Sequence, residues 1–103
     1  MIVINNNNYE NNHIIYKLSD GYRSYIGKCN IPLYMRLNIH KHSTKLEADK
    51  YFSKDWSSVT CEVLDYSIDK KRLLELEKDH IRSEMLSNPD KILNVYNTKI
   101  KNI

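Results

Sequence analysis

The feature that most restricts what this chain can fold into is a pair of β-forming runs hinged on Asp20-Gly21. His13-Ile14-Ile15-Tyr16-Lys17-Leu18 is β-branched and aromatic, and it stops at Ser19-Asp20-Gly21. Asp-Gly is a strong hairpin signal, because Gly accepts positive φ and the Asp carboxylate bonds its own backbone. Residues 22–28 return as a second strand carrying Tyr25-Ile26-Gly27. The turn therefore brings Tyr16 and Tyr25 near each other in one antiparallel sheet.

The remaining elements follow from caps and periodicity. Asn30-Ile31-Pro32 reads as a helix entrance, with Asn30 as the cap and Pro32 in the first turn. Leu33, Arg36, Leu37 and His40 then recur at helical spacing, which predicts a helix over 33–41 with these four on one face. Residues 42–57 read as irregular and polar, ending in Tyr51-Phe52 and Trp56. Residues 58–64 alternate as a third strand. Asp69 caps a long helix over 70–86, which Asn88-Pro89 ends. The apolar segment 92–96 can fold back on the sheet. Residues 1–12 hold six Asn and read as a poorly ordered leader, with 2–4 as the candidate for a short edge strand. Residues 13–103 are then the single domain that a length of 103 residues allows.

Composition excludes several classes. No stretch approaches the ~20 apolar residues of a membrane helix, and the N-terminus lacks the basic start and apolar run of a signal peptide. Two cysteines, Cys29 and Cys61, are too few for a disulfide framework and form no CxxC pair. The expected setting is intracellular, cytoplasmic or nuclear, with no membrane partner. A net charge of +3 permits contact with phosphates without demanding it.

Three constellations can carry chemistry. Leu73, Leu74, Leu76, Ile81 and Met85 form the apolar stripe of the long helix, and Glu77 falls in its middle. A carboxylate aimed into an apolar face needs an Arg, a metal or a strong hydrogen bond, unless its flexible stem carries the head to water. His80 and Glu84, on the same side, could join it as metal ligands. Arg36 and His40, at i and i+4, are the second constellation: Arg offers a fixed fork of donors that matches a phosphate, and His relays protons near neutral pH. Either could instead be a structural boundary residue. Tyr16 and Tyr25 are the third, although a phenol is a poor base without a partner to stabilise its phenolate. Gly27 beside Tyr25 signals a close backbone approach or a bulge.

Taken in order, these elements resemble the GIY-YIG nuclease family. A strand holds Tyr16, a second holds Tyr25-Ile26-Gly27, a helix holds Arg36-x-x-x-His40, a strand follows Trp56, a helix holds Leu76-Glu77-x-x-x-Ile81, and Asn94 comes last. The resemblance spans roughly residues 13–97. The second tripeptide matches fully. The first is Ile14-Ile15-Tyr16, with Ile14 where the family has Gly.

The resemblance implies an α+β fold, a small three-stranded antiparallel sheet flanked by helices, that hydrolyses phosphodiester bonds, with DNA as partner. It implies one divalent cation, Mg²⁺ or Mn²⁺, with Glu77 as its sole protein ligand. Arg36 would stabilise charge on the scissile phosphate. Tyr16 and Tyr25 would line the site, one of them, Tyr16 before Tyr25, helping to deprotonate the attacking water with His40 assisting. Asn94 would hold the far wall and Lys28 would touch a phosphate. His42 and Tyr51 are further candidates for the proton network. A hard cation that keeps most of its waters needs only one or two carboxylates, so a lone Glu can serve. The alternative is a non-catalytic nucleic-acid-binding or interaction module on the same fold, with Ile14 narrowing the cleft. So small a chain leaves no room for an appended recognition domain, so a homodimer or a second subunit is a further expectation.

Overall fold

The computed structural model describes residues 2–4 and 13–94. Its elements run in the order β1 (Ile2–Ile4), β2 (His13–Ser19), β3 (Ser24–Cys29), α1 (Leu33–His42), α2 (Glu47–Phe52), β4 (Thr60–Ser67) and α3 (Lys70–Ser87). The expected hairpin joins β2 to β3. Gly21 adopts a φ of 93° in the turn, and the Asp20 carboxylate accepts from the backbone N–H of both Tyr22 and Arg23 at 2.9 Å. Tyr16 faces Gly27 across the pair, and Leu18 faces Tyr25.

The α+β class holds, with one strand more than expected. The sheet has four strands in the order β1-β4-β2-β3. The three antiparallel strands are those the sequence indicates, and β1 adds to the edge of β4 in parallel, Ile2 opposite Thr60 and Ile4 opposite Glu62. Three consecutive β-favouring apolar residues complete the ladder that β4 would otherwise leave open. Residues 2–4 are therefore the short edge strand that the sequence suggested there; residues 5–12, the rest of the expected leader, lie outside the described residues, as do 95–103.

Side chains alternate between the two faces of the sheet. Ile14, Tyr16, Leu18, Cys29, Cys61 and Val63 pack against Leu33 and Leu37 of α1 and Ala48 and Phe52 of α2. Ile15 and Ile26 pack on the opposite face against Leu73 and Ile81 of α3. Ile14 is fully buried in the first layer. It fills core and does not narrow a cleft. The β2–β4 register slips between Ile15, opposite Asp65, and Tyr16, opposite Val63. The extra residue bends β4 beside Tyr16.

Two helix readings need correction. Pro32, not Asn30, is the cap of α1: it is extended, no side chain caps the helix, and its carbonyl accepts from Arg36 N–H. Proline suits that place because a helix start has no use for its missing N–H. The stretch 42–57 is not wholly irregular, since it contains α2 and a 3₁₀ turn over Trp56–Ser58. Helix α3 starts as expected, with the Asp69 carboxylate accepting from Lys71 N–H. Leu74 of its apolar stripe is exposed, while Leu76 and Met85 are half-buried. Among the described residues no helix is long and apolar enough to cross a membrane.

Candidate functional site

The α1 face of the sheet carries a buried chain of polar groups. Strand alternation aims Tyr16 and Tyr25 at this face, their ring centroids 6.4 Å apart, and the ring of His40 stands 5.7 Å from each. The Tyr16 hydroxyl and His40 Nε2 are 2.6 Å apart, and His40 Nδ1 lies 2.6 Å from Asp49 Oδ1. Tyr16 is 1% exposed, His40 3% and Asp49 1%. A carboxylate so buried would cost several kcal/mol without a partner, and the imidazole supplies one. Burial, with Tyr25 adding to it, pushes the Tyr16 phenol well above its usual value, against the opposing pull of Arg36. The phenol is therefore neutral, and its oxygen shares one hydrogen bond with the imidazole.

Gly27 makes this arrangement possible. A Cβ there would stand 2.6 Å from Cζ and from the hydroxyl oxygen of Tyr16, and 2.8 Å from the Tyr25 ring. The close approach signalled by the sequence is that of the Tyr16 ring to the opposite strand. Asn94 fixes the same strand from behind. Its Oδ1 accepts from Ile26 N–H at 3.1 Å and its Nδ2 donates to the Ile26 carbonyl at 2.7 Å. It is 2% exposed. Expected as a nucleic-acid contact on the far wall, Asn94 is instead buried and committed to the backbone of the Tyr25-Ile26-Gly27 tripeptide. The tail does fold back: Leu93 N–H donates to Ser24 O, and Ser24 N–H to Lys91 O.

Beside this chain a groove of about 230 Å³ crosses the edge of the sheet at the end of β3. Arg36 lines it from α1, Lys28, Cys29 and Asn30 from β3 and the residue after it, His13 from β2, and Lys70, Leu73 and Leu74 from α3. Among the described residues no carboxylate lines it. Arg36 Nε and His13 Nδ1 are both buried without a hydrogen-bond partner among the described residues. Buried donors are almost always satisfied, so the Arg36 Nε–H in this groove has room for an acceptor from outside the described residues, and an anion suits a wall that also holds Lys28 and Lys70.

No family model, curated protein or solved structure matches the chain. What the site can do is therefore read from its own atoms.

Of the residues singled out in the sequence, Tyr16, Tyr25, Arg36 and His40 converge on the α1 face. Glu77 does not join them there. It sits half-buried on α3, across the sheet edge, one turn beyond the groove-lining Leu73 and Leu74. Burial raises its carboxyl above the usual range, and Lys28 and Lys78 draw it back only in part. Lys28 is exposed and lines the groove with Arg36, and so links the two groups. Glu77 makes no hydrogen bond or ion pair among the described residues. A half-desolvated carboxylate with both oxygens unengaged fits a hard cation that brings its own waters.

His80 and Glu84 are engaged elsewhere: His80 meets Asp65 at 3.3 Å, and Glu84 pairs with Lys17 at 3.0 Å. Among the described residues no three His, Cys, Asp or Glu side chains group as metal ligands. His42 lies exposed against the Asn38 carbonyl, and the Tyr51 hydroxyl donates to Asp20. Neither enters the proton network.

Asp49, His13 and Lys70 are the participants that the sequence reading missed. Ala48 and Phe52 at i and i+4 were the available sign of α2 and hence of Asp49's inward placement. His13 is marked only by its place at the start of β2, and Lys70 by its place at the start of α3.

Proposed function

We propose that this protein is a divalent-metal-dependent endonuclease of the GIY-YIG kind, hydrolysing phosphodiester bonds in DNA. The observation that carries the reading is the Tyr16–His40 hydrogen bond beside an Arg36 whose buried Nε has no hydrogen-bond partner among the described residues. Arg36 lines the groove and acts electrostatically on the buried Tyr16 behind it, so a guanidinium for the phosphate stands next to a proton-accepting route, the two parts that in-line attack of water on a phosphodiester requires.

Arg36 and Lys28 bind the scissile phosphate, Arg36 presenting its fork to two phosphate oxygens. Tyr25, the half-exposed phenol, lies on the solvent side of Tyr16 and orients the water trapped under that phosphate. Tyr16 takes the water's proton as it passes its own to His40. Held by Glu77, Mg²⁺ or Mn²⁺ would offset charge on the phosphate and the departing oxygen. Lys70 extends the cationic surface along the strand, with the His13 ring beside it in the groove.

The test is cleavage of duplex, nicked, branched and single-stranded DNA with Mg²⁺, with Mn²⁺ and with chelator. Metal-dependent cutting that Arg36→Ala and Glu77→Ala abolish without unfolding the protein is the expected result. Wild-type rates in either variant would remove that residue from the mechanism. The near-complete burial of Tyr16 favours a second reading, a module that binds phosphodiesters in the same groove without cutting. Salt-sensitive DNA binding with no cleavage of any of the four substrates would establish it.

A further inference from the structure

We propose that Asp49 is a positioning residue that holds His40 as its Nδ1–H tautomer, so that Nε2 is the bare acceptor for the Tyr16 proton. This rests on the nuclease reading for its catalytic consequence, although the tautomer itself does not. An ionised carboxylate can only accept hydrogen bonds, so at 2.6 Å it requires the proton on Nδ1. The opposite nitrogen must then accept, and the group facing it at 2.6 Å is the Tyr16 O–H. The tautomer and the direction of the whole chain are set by one buried carboxylate on α2, the same helix whose Ala48 and Phe52 pack in the core with Tyr16.

In the step this serves, the water O–H bond breaks and its oxygen pair forms the new P–O bond. The water proton goes to the Tyr16 oxygen, the Tyr16 proton goes to His40 Nε2, and the P–O bond to the leaving oxygen breaks with its electron pair. The leaving oxygen takes a proton from solvent, and His40 returns its own afterwards. Asp49 touches neither substrate nor water. It stabilises the imidazolium while that species exists. A buried phenol could not otherwise release its proton, because a free phenolate at 1% exposure has no solvent to support it.

The experiment has two arms. Ring ¹⁵N–¹H correlation spectra of the uniformly labelled protein, with His40 assigned from the His40→Gln spectrum, report the tautomer directly. We expect Nδ1–H in the wild type and a shift to Nε2–H in Asp49→Asn, whose side-chain amide can donate to Nδ1. The second arm is a cleavage cycle. Asp49→Asn should lower kcat at least ~100-fold with KM within a few-fold, as expected when a base is held in the wrong tautomer. In a Tyr16→Phe background the same change should cost less than two-fold, since both act on one proton path.

A wild-type His40 protonated on Nε2 overturns the proposal whatever the activity, and that spectrum needs no variant to fold. Losses that multiply in the double variant also overturn it. A wild type with the expected spectrum that cuts nothing overturns the nuclease reading, yet supports Asp49 as the residue that sets the tautomer.

Discussion

Gly27 lies directly beneath the Tyr16 ring, so close that a methyl group there would sit 2.6 Å from the phenol oxygen. That oxygen is also the one bonded to His40. Gly27→Ala should therefore act twice. The Tyr16 ring is fully enclosed and cannot swing aside cheaply, so overpacking should cost about 1–3 kcal/mol, read as a lower urea midpoint at unchanged slope. Any displacement also breaks the link to His40, so cleavage should fall far more than stability predicts. Alanine tolerated at wild-type activity would mean that Tyr16 has room the structure does not give it.

Asn94 supports the same strand through hydrogen bonds alone. Asn94→Ala would leave the buried N–H and carbonyl of Ile26 without partners, at about 1–3 kcal/mol for each. Asn94→Asp should fare little better, because an acidic oxygen would replace the donor that now faces the Ile26 carbonyl. Denaturation curves give the loss. Hydrogen exchange at Ile26 N–H, which should speed up in Asn94→Ala ahead of its neighbours, locates it. Unaltered protection at Ile26 would show that the amide bond is not what holds this strand.

How much of this was legible in the sequence depended on the range of the interactions. Tyr16 and Tyr25 could be paired because hairpin register follows from a short turn and a period of two. Arg36 and His40 could be placed on one face because helical spacing is local. Glu77 was legible as an anomaly in an apolar stripe, and the structure explains it as a half-buried group across the sheet edge, next to Lys28. Asp49 was not legible. Its helix spans six residues, less than two turns, and offers almost no period, and its importance lies in a contact with a His nine residues away in the chain. The edge strand at 2–4 was legible from its β propensity, but its parallel pairing with β4 was not, because three residues name no partner until the edge of β4 exists. Asn94 was found by its position in a motif, and its role as a backbone clamp is a tertiary fact.

Glu77 should separate function from stability. Burial raises its carboxyl, with Lys28 and Lys78 opposing. A carboxyl whose folded-state value is raised leaves stability intact below its unfolded value. It then opposes folding as pH climbs through the window from the unfolded value to the folded one, and the penalty persists above it. Glu77→Gln removes that penalty. The variant should match the wild type in thermal melts at acid pH and exceed it at neutral pH, in metal-free buffer. Added Mg²⁺ should raise the wild-type melting temperature and leave Glu77→Gln unmoved. A variant less stable than wild type at neutral pH would show that Glu77 has a structural partner.

Arg36 gives the complementary case, a cation held half-buried with its Nε unpartnered among the described residues. A buried donor without a partner opposes folding, so Arg36→Ala should not lower the free energy of unfolding by more than the packing lost with the stem. Binding should respond very differently. Each phosphate contact removed lowers the slope of log affinity against log salt by roughly one, so Arg36→Ala should weaken DNA binding and flatten that slope by about that amount. Lys28→Ala and Lys70→Ala should flatten it similarly if both cations follow the strand along the groove. The three differ in catalysis. Removing Arg36 takes away the fork that stabilises the reacting phosphate, whereas loss of Lys70 should raise KM and leave kcat within a few-fold. Fluorescence anisotropy over a salt series, with single-turnover rates at saturating protein, reads both effects. A slope unchanged in all three variants would place the nucleic acid on some other face of the molecule.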